Sequence, residues 1–380
     1  MAAANPLSIS QHFADLEEPR HEYYISHRLD DLLTIAICAV ICGADDWVAV
    51  AAFGQAKQEW LRQFLALPHG IPSHDTFGRV FARLDPEGFQ GCFIEWVQAV
   101  SELSEGEIVP IDGKTVRRSY DHRRGQGAIH LVKAWANQAH LALGQVKVDD
   151  KSNEITAIPA LLELLALQGC IVTLDAMGTQ KEIARQIRAK EADYVLALKE
   201  NQGKLYREVV DLFATARQTD GQDIATQTYA HFNKGHGRLE RRQCWTIDDP
   251  RFIAYLDPHQ QWTDLQSVVM VEAQRTVKEQ TSIEPRYYLS SLSGDPQRLL
   301  QATRHHWGIE NKLHWVLDVA FGEDDCRLRV GHGPQNLALL RQIALNLLHQ
   351  ETSLSCGIQN KRLRAGWDTS YMEQILAALT

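Results

Sequence analysis

The 380-residue chain lacks the usual sequence marks of a metal ribbon or a disulfide scaffold. Its seven cysteines stand at positions 38, 42, 92, 170, 244, 326 and 356, an odd number with no CxxC pair. Neither a disulfide framework nor a zinc site is expected from them. Sixteen histidines are present but none forms HExxH, which removes that zinc-protease signature. There is no low-complexity tract and no internal repeat, so solenoids are excluded. The longest apolar run, LLTIAICAVICGA at 32–44, falls short of the roughly 20 residues that cross a bilayer. It reads as a buried helix. The start, MAAANPLSISQHF, has neither the basic nor the apolar region of a signal peptide. A cytoplasmic protein without a membrane partner is expected.

Positive charge is scarce at one end. Residues 1–107 carry six Lys and Arg against sixteen Asp and Glu, which leaves a net +1 on the rest of a chain whose total is −9. Within that rest, residues 112–133 gather six cations, among them Arg123 and Arg124, and residues 233–243 (NKGHGRLERRQ) hold four against Glu240. Local basic patches, rather than overall charge, make a footprint for phosphates. Two solvated loops are the plainer reading of these patches taken alone.

The segment EIVPIDGKTVRRSYD at 107–121 contains Gly-Lys-Thr. A phosphate-binding P-loop would need a glycine five positions before the glycine of GK, and that position is Ile108. The P-loop is excluded. What remains is a strand, IVPID, expected to end at Asp112, with GKT as a turn and cations just beyond.

The organisation follows from the periodicities. Residues 1 to about 105 read as helical, with Ser73 as an N-cap and Phe77, Val80, Phe81 and Leu84 on one helical face. This segment could be a helix-turn-helix reader, although its acidity favours a packing or dimerisation role. After Glu107 come strands at IVPID, GAIHLVKAWANQ and LALGQVKVDDKS, the latter two joined by a tight turn near Ala139-His140. A helix over ITAIPALLELLALQG, a strand CIVTLDAMG ending at Asp175, a charged helix TQKEIARQIRAKE and a strand ADYVLALKENQ leading to Lys199 follow. Residues 201–285 read as a mainly β insertion. Residues 286–380 return to helix, with one long helical stretch over PQRLLQATRHHWGIENKLHWVLDVAF.

Ligands gather at strand ends in α/β sheets, which singles out Asp112 and Asp175. Each alone could be a turn residue. Glu310 lies on a helix with His306, Trp307, Asn311, His314 and Trp315 around it, either a core helix with a paired acid or a functional one. Two-metal phosphoryl transfer connects the three. Mg²⁺ prefers carboxylate oxygen, and a pair of ions can activate the attacking oxygen and stabilise the leaving one. Lys114, Arg117, Arg118, Lys199, Arg241 and Arg242 would then hold the DNA backbone, with the histidine and tryptophans near Glu310 stacking or wedging against bases.

VPIDGKTVRRS, VTLDAMGTQKEIA, YVLALKENQ, GHGRLERR and RHHWGIENKLHWVLDVAFGEDDCRLR resemble the DDE transposases of bacterial insertion sequences, and more narrowly the H-repeat-associated branch. The resemblance spans essentially the whole chain. It implies an α/β fold, with an RNase H-like catalytic core (a mixed sheet flanked by helices), a β-rich insertion and a helical N-terminal domain. In residues, the N-terminal domain is 1–105, the first part of the core 106–200, the insertion 201–285 and the C-terminal part of the core 286–380. It implies Asp112, Asp175 and Glu310, 63 and 135 residues apart, as catalytic acids holding two Mg²⁺ (or Mn²⁺) ions. Further implied are cleavage and joining of DNA ends at terminal inverted repeats, action on target DNA, and a homodimer on paired ends. The expected DNA contacts extend to Asn201, Gln202, Arg238, Arg304, His306, Trp307 and Lys312.

Broader relatives carry an arginine four before the glutamate and a lysine seven after. Here those positions hold His306 and Leu317, with Arg304 and Lys312 nearby. Asp318, Glu323, Asp324 and Asp325 could each join the metal site, a helix-end charge cluster being the plainer reading. Two other functions stand beside the transposase: a silent DNA-binding remnant, and a host nuclease that never joins ends.

Overall fold

A computed structural model describes residues 11–100, 103–120, 125, 127–149, 152–235, 238–277 and 280–377; Arg123 and Arg124 lie outside them. The fold is mixed α/β. Among the described residues nine strands follow in chain order: β1 (Ile108–Thr115), β2 (His130–Ala136), β3 (Leu141–Lys147), β4 (Ile171–Leu174), β5 (Asp193–Leu198), β6 (Gln227–Gly235), β7 (Arg238–Ile247), β8 (Ser267–Val277) and β9 (Gln280–Ser290). Their order in the sheet is β3-β2-β1-β4-β5-β9-β8-β7-β6. The hairpin β2–β3 is antiparallel and β1, β4 and β5 run parallel, with one helix between β3 and β4 and one between β4 and β5, the chain order read from the sequence. No helix among the described residues is long and apolar enough to cross a membrane.

The chain forms two compact units, one of Met1–Glu102, Gly113–Asn153 and Glu310–Thr380, the other of Leu103–Asp112 and Glu154–Ile309. In the first, the helix Leu29–Ile41 is buried over nearly its whole length, as its apolar run predicts. Ser73 Oγ accepts from the Thr76 N–H and starts the helix His74–Arg83. That helix turns Phe77, Val80 and Phe81 inward, where Trp47 stacks on Phe81 at 4.6 Å between centroids. The β2–β3 turn is tight, with His140 in the left-handed region at φ 55°. The helix Gly333–Gln350 is buried on nearly all sides, and its Asn346 side chain bonds both backbone groups of Ala142 in β3.

In the second unit, Ile108, Ile171 and Val195 from three parallel strands share one apolar cluster with Cys244, Val269 and Val271 from the long antiparallel strands and with Leu299 and Leu300. Burial of such side chains contributes roughly 1.5–3 kcal/mol each. The region read as an insertion also contains a 16-residue helix, Gly203–Gln218, which the strand-like runs around it hid. Its Leu205, Val209, Leu212, Phe213 and Ala216 are buried, at the 3–4-residue spacing of a helix face.

Two further expectations are corrected. The first strand does not end at Asp112. It continues through Gly113, Lys114 and Thr115, and Gly113 is not in the left-handed conformation that some turns require. Sheet pairing has overridden the Asp-Gly turn signal. The long helix through Glu310 is broken into Pro296–His306, a π-helical turn Ile309–His314 and Trp315–Phe321.

Candidate active site

The parallel pairing of β1 with β4 sets Pro110 opposite Thr173. Two residues further along each chain stand Asp112 and Asp175. The two aspartates therefore hold equivalent sequence positions relative to the paired Pro110 and Thr173. Asp175, one residue beyond the end of β4, is held by its own loop. Its Oδ1 accepts from the N–H groups of Met177 at 2.9 Å and Gly178 at 3.1 Å, an Asx-type turn. The loop is pinned from behind: Asn201 Nδ2 donates to the Ala176 carbonyl, Gln202 Nε2 to the Thr179 carbonyl at 3.0 Å, and Thr179 Oγ1 to the Ala197 carbonyl at 2.6 Å. Asn201 and Gln202, expected to touch DNA, bond the backbone of the Asp175 turn.

The glutamate sits on the π turn, with Glu310 Oε2 3.5 Å from His314 Nδ1. The π turn widens the helix by one residue per turn, a distortion common at functional sites. His314 is buried, and burial lowers its basicity against the opposing pull of Glu310. Among the described residues, Asp112, Glu310 and His314 each offer a ligand atom, all within 4.8 Å of one another. Two carboxylates and an imidazole suit a divalent cation: the oxygens fit Mg²⁺ or Mn²⁺, and the nitrogen is tolerated better by Mn²⁺. Asp175 lies outside this group. Sequence reasoning missed His314 as a donor, although its spacing of four residues from Glu310 on a helix was the available signal.

Among the described residues, the acids after Gly322 form no metal group of their own. Gly322, at φ 57°, ends the helix Trp315–Phe321 and turns the chain into Glu323–Asp325. Each acid of that turn then meets a cation from β1, β2 or the Arg117–Ser119 turn. Glu323 takes Lys133 at 3.0 Å with both side chains fully buried. Asp324 takes Arg117 at 3.2 Å and Lys114 at 3.7 Å, and Asp325 takes Arg118 at 3.2 Å. Lys114 also holds Asp318 at 2.5 Å. Burial alone would raise the Glu323 carboxyl; Lys133, Arg341 and Lys114 together hold it below its ordinary value. Asp318 ends up raised, because its burial outweighs Lys114.

Lys114, expected as a phosphate contact, is therefore a nearly enclosed counter-ion, 9% exposed. Arg117 and Arg118 are exposed partners in surface pairs, which contribute little and leave both arginines accessible to a phosphate. Lys199 is exposed at the end of β5. Arg241 lies over the Phe232 ring, Arg242 pairs with Glu240, and Arg304 approaches His231. The side chain of Arg238, which opens β7, lies outside the described residues. His306 Nδ1 shares a hydrogen bond with Thr173 Oγ1 at 3.0 Å, two residues before Asp175. Trp307 is half exposed and carries the Arg286 guanidinium over its ring, a neighbour from β9 that the sequence did not suggest. Lys312 sits half-buried on the π turn.

Fold and site define a mixed α/β protein with an acidic, cation-capable group beside the end of a parallel strand pair. The comparisons name its class. The family description "Transposase DDE domain" matches residues 103–347 and "DDE_Tnp_1-associated" matches residues 10–97; the chain belongs to the DDE transposase family. It is 40% identical to "Putative transposase YncI" of Escherichia coli O157:H7, over 98% of this chain and 95% of that protein. It is 36% identical to the "H repeat-associated putative transposase YhhI" of Escherichia coli K12, over 97% of both. Among solved structures, a piggyBac transposase synaptic complex with hairpin DNA is similar at TM-score 0.42 and 11% identity, over 98% of this chain and 81% of that one.

Proposed function

We propose that this protein is an active transposase, cleaving DNA at the ends of an insertion sequence and transferring the freed strands into a target. Asp112, Asp175 and Glu310 are the catalytic acids in this reading and hold two Mg²⁺ or Mn²⁺ ions. The observation that supports it most is the grouping of Asp112, Glu310 and His314 ligand atoms within 4.8 Å of one another, with Asp175 two residues past the β4 residue that pairs with Pro110. When bound, the divalent ions would supply Lewis-acid activation of a water or 3′-hydroxyl and charge stabilisation at the leaving oxygen.

The chain's own residues do the rest. His314 orients Glu310 across 3.5 Å, the service a neighbour gives a metal-ligating group. Asn201 and Gln202 keep the Asp175 turn in place. Arg241, Arg242 and Arg304 supply positive charge for backbone phosphates, and Trp307 with Arg286 offers a flat cationic platform for an unpaired base. The partners are double-stranded DNA at terminal inverted repeats and at the target, with two copies of the chain on paired ends. Residues 1–105 serve end recognition or dimerisation, 106–200 and 286–380 form the catalytic core, and 201–285 are its β-rich insertion. The protein works in the cytoplasm, on the nucleoid when bound to DNA.

The test is cleavage of a supercoiled plasmid carrying the DNA that flanks the gene, by native protein and Asp112→Asn, with Mg²⁺ or EDTA. Metal-dependent breaks at defined positions, followed by joined products, are expected from the native protein only. Full cleavage by Asp112→Asn would sink the assignment. Breaks without joining would point to a nuclease, and binding without breaks to a silent remnant.

A further inference from the structure

In the acidic first 107 residues, with six Lys and Arg against sixteen Asp and Glu, three of the six cations line one cavity. Arg20, Arg79 and Arg83, with His21, His27 and Thr76, surround a volume of about 550 Å³, and no Asp or Glu is among its described lining residues. Arg79 and Arg83 lie one turn apart and exposed on the helix His74–Arg83, while its Phe77, Val80 and Phe81 face the core. Arg20 is fixed rather than free to swing. Its Nε and Nη2 lie 2.6 and 2.7 Å from Glu18, and Nη2 also donates to the His27 carbonyl at 2.7 Å. Burial, with His69 and Arg20 adding to it, lowers the basicity of His27.

Spreading three arginines over an acidic surface would aid solubility equally well. Placing the exposed Arg79 and Arg83 on one concavity, beside an Arg20 already paired with Glu18, makes sense for an anion. Guanidinium forks match phosphate oxygens bidentately, and the Thr76 hydroxyl adds a donor of the kind that contacts phosphates. The space exceeds that of a lone phosphate and accommodates one with its flanking sugars. We propose that this cavity takes a backbone phosphate of DNA, so that the N-terminal segment makes a local positioning contact. This proposal rests on the transposase reading for its choice of DNA. The acidity of the surrounding segment supports the local character, because a duplex would be repelled elsewhere along it.

The experiment measures binding of the full chain to a duplex from the flanking DNA, in EDTA so that no cleavage intrudes, across a salt series. Native protein is compared with Arg79→Ala/Arg83→Ala and with Arg79→Lys/Arg83→Lys, each checked for an unchanged melting transition. The alanine pair is expected to bind at least tenfold more weakly, with a salt slope smaller by about 1; the lysine pair keeps the slope. Native affinity and slope in a folded alanine pair would overturn the proposal. So would loss of inorganic phosphate or mononucleotide binding in that variant with duplex binding intact, which would make the cavity a small-anion site. If the alanine pair misfolds, the charge-reversing Arg83→Glu alone decides, by the same loss or retention of slope. Plasmid cleavage by native protein is scored separately. Arginine-dependent binding without any cleavage sinks the active-transposase reading and leaves this site standing, and cleavage with arginine-independent binding does the reverse.

Discussion

Lys114 Nζ reaches Asp318 Oδ2 at 2.5 Å, joining the end of β1 to the helix that follows the π turn. Because β1 alternates with period two, Lys114 points to the same side as Asp112. Asp318 lies two helical turns beyond Glu310 on the corresponding helix face. The ion pair thus ties the strand that carries Asp112 to the helix that follows Glu310.

Removing one partner of this pair should cost stability. Lys114→Met leaves the Asp318 carboxylate, already raised by burial, without its counter-ion, at a cost of about 2 kcal/mol. A urea titration measures this directly. Unchanged stability together with a smaller salt slope for DNA binding would instead make Lys114 a phosphate contact.

Asn201 offers a different kind of test, since its amide holds the Ala176 carbonyl in the Asp175 turn. Asn201→Ala should slow metal-dependent cleavage roughly three- to tenfold, as expected for loss of one hydrogen bond of ~1 kcal/mol. Its DNA affinity and salt slope in EDTA should stay native. A fall in the slope with cleavage unchanged on saturated DNA would contradict the positioning role.

His349 makes stability depend on pH. Burial, with His140 and Lys361 adding to it, pushes its pKa down to about 4, where it packs against Trp135 and His140 at 5.6 and 5.9 Å. The unfolded chain takes up this proton at a higher pH than the folded one. The stability His349 confers is therefore present above its unfolded pKa of about 6.5 and is lost as pH falls from there towards about 4. Between pH 7 and 5 the fold should lose about 2 kcal/mol through this group. Chemical denaturation at the two pH values, with His349→Phe as control, checks it: an equal fall in the variant would assign the loss to other groups.

Much of this architecture was legible beforehand, for physical reasons that differ by element. The Ser73 cap and the Phe77-Val80-Phe81 face are local, so hydroxyl position and spacing predict them. Asp175 was legible because a short buried strand ran straight into it. The helix Gly203–Gln218 was harder to see between strand-like runs, and the π turn at Glu310 has no side-chain period of its own, since one extra residue in one turn barely shifts an apolar pattern.

The sequence by itself determined the mixed α/β class, the buried first helix and the three acids worth following, because each depends on chemistry within a few neighbouring residues. Only the tertiary structure decided how the charges are spent. Lys114 and Lys133 are consumed by Asp318 and Glu323, some two hundred residues away, and the GKT segment became strand rather than turn through sheet pairing. The same holds for the gathering of Arg20 with Arg79 and Arg83. Long-range pairing leaves no local period, since its cost and its gain both appear only when distant segments meet.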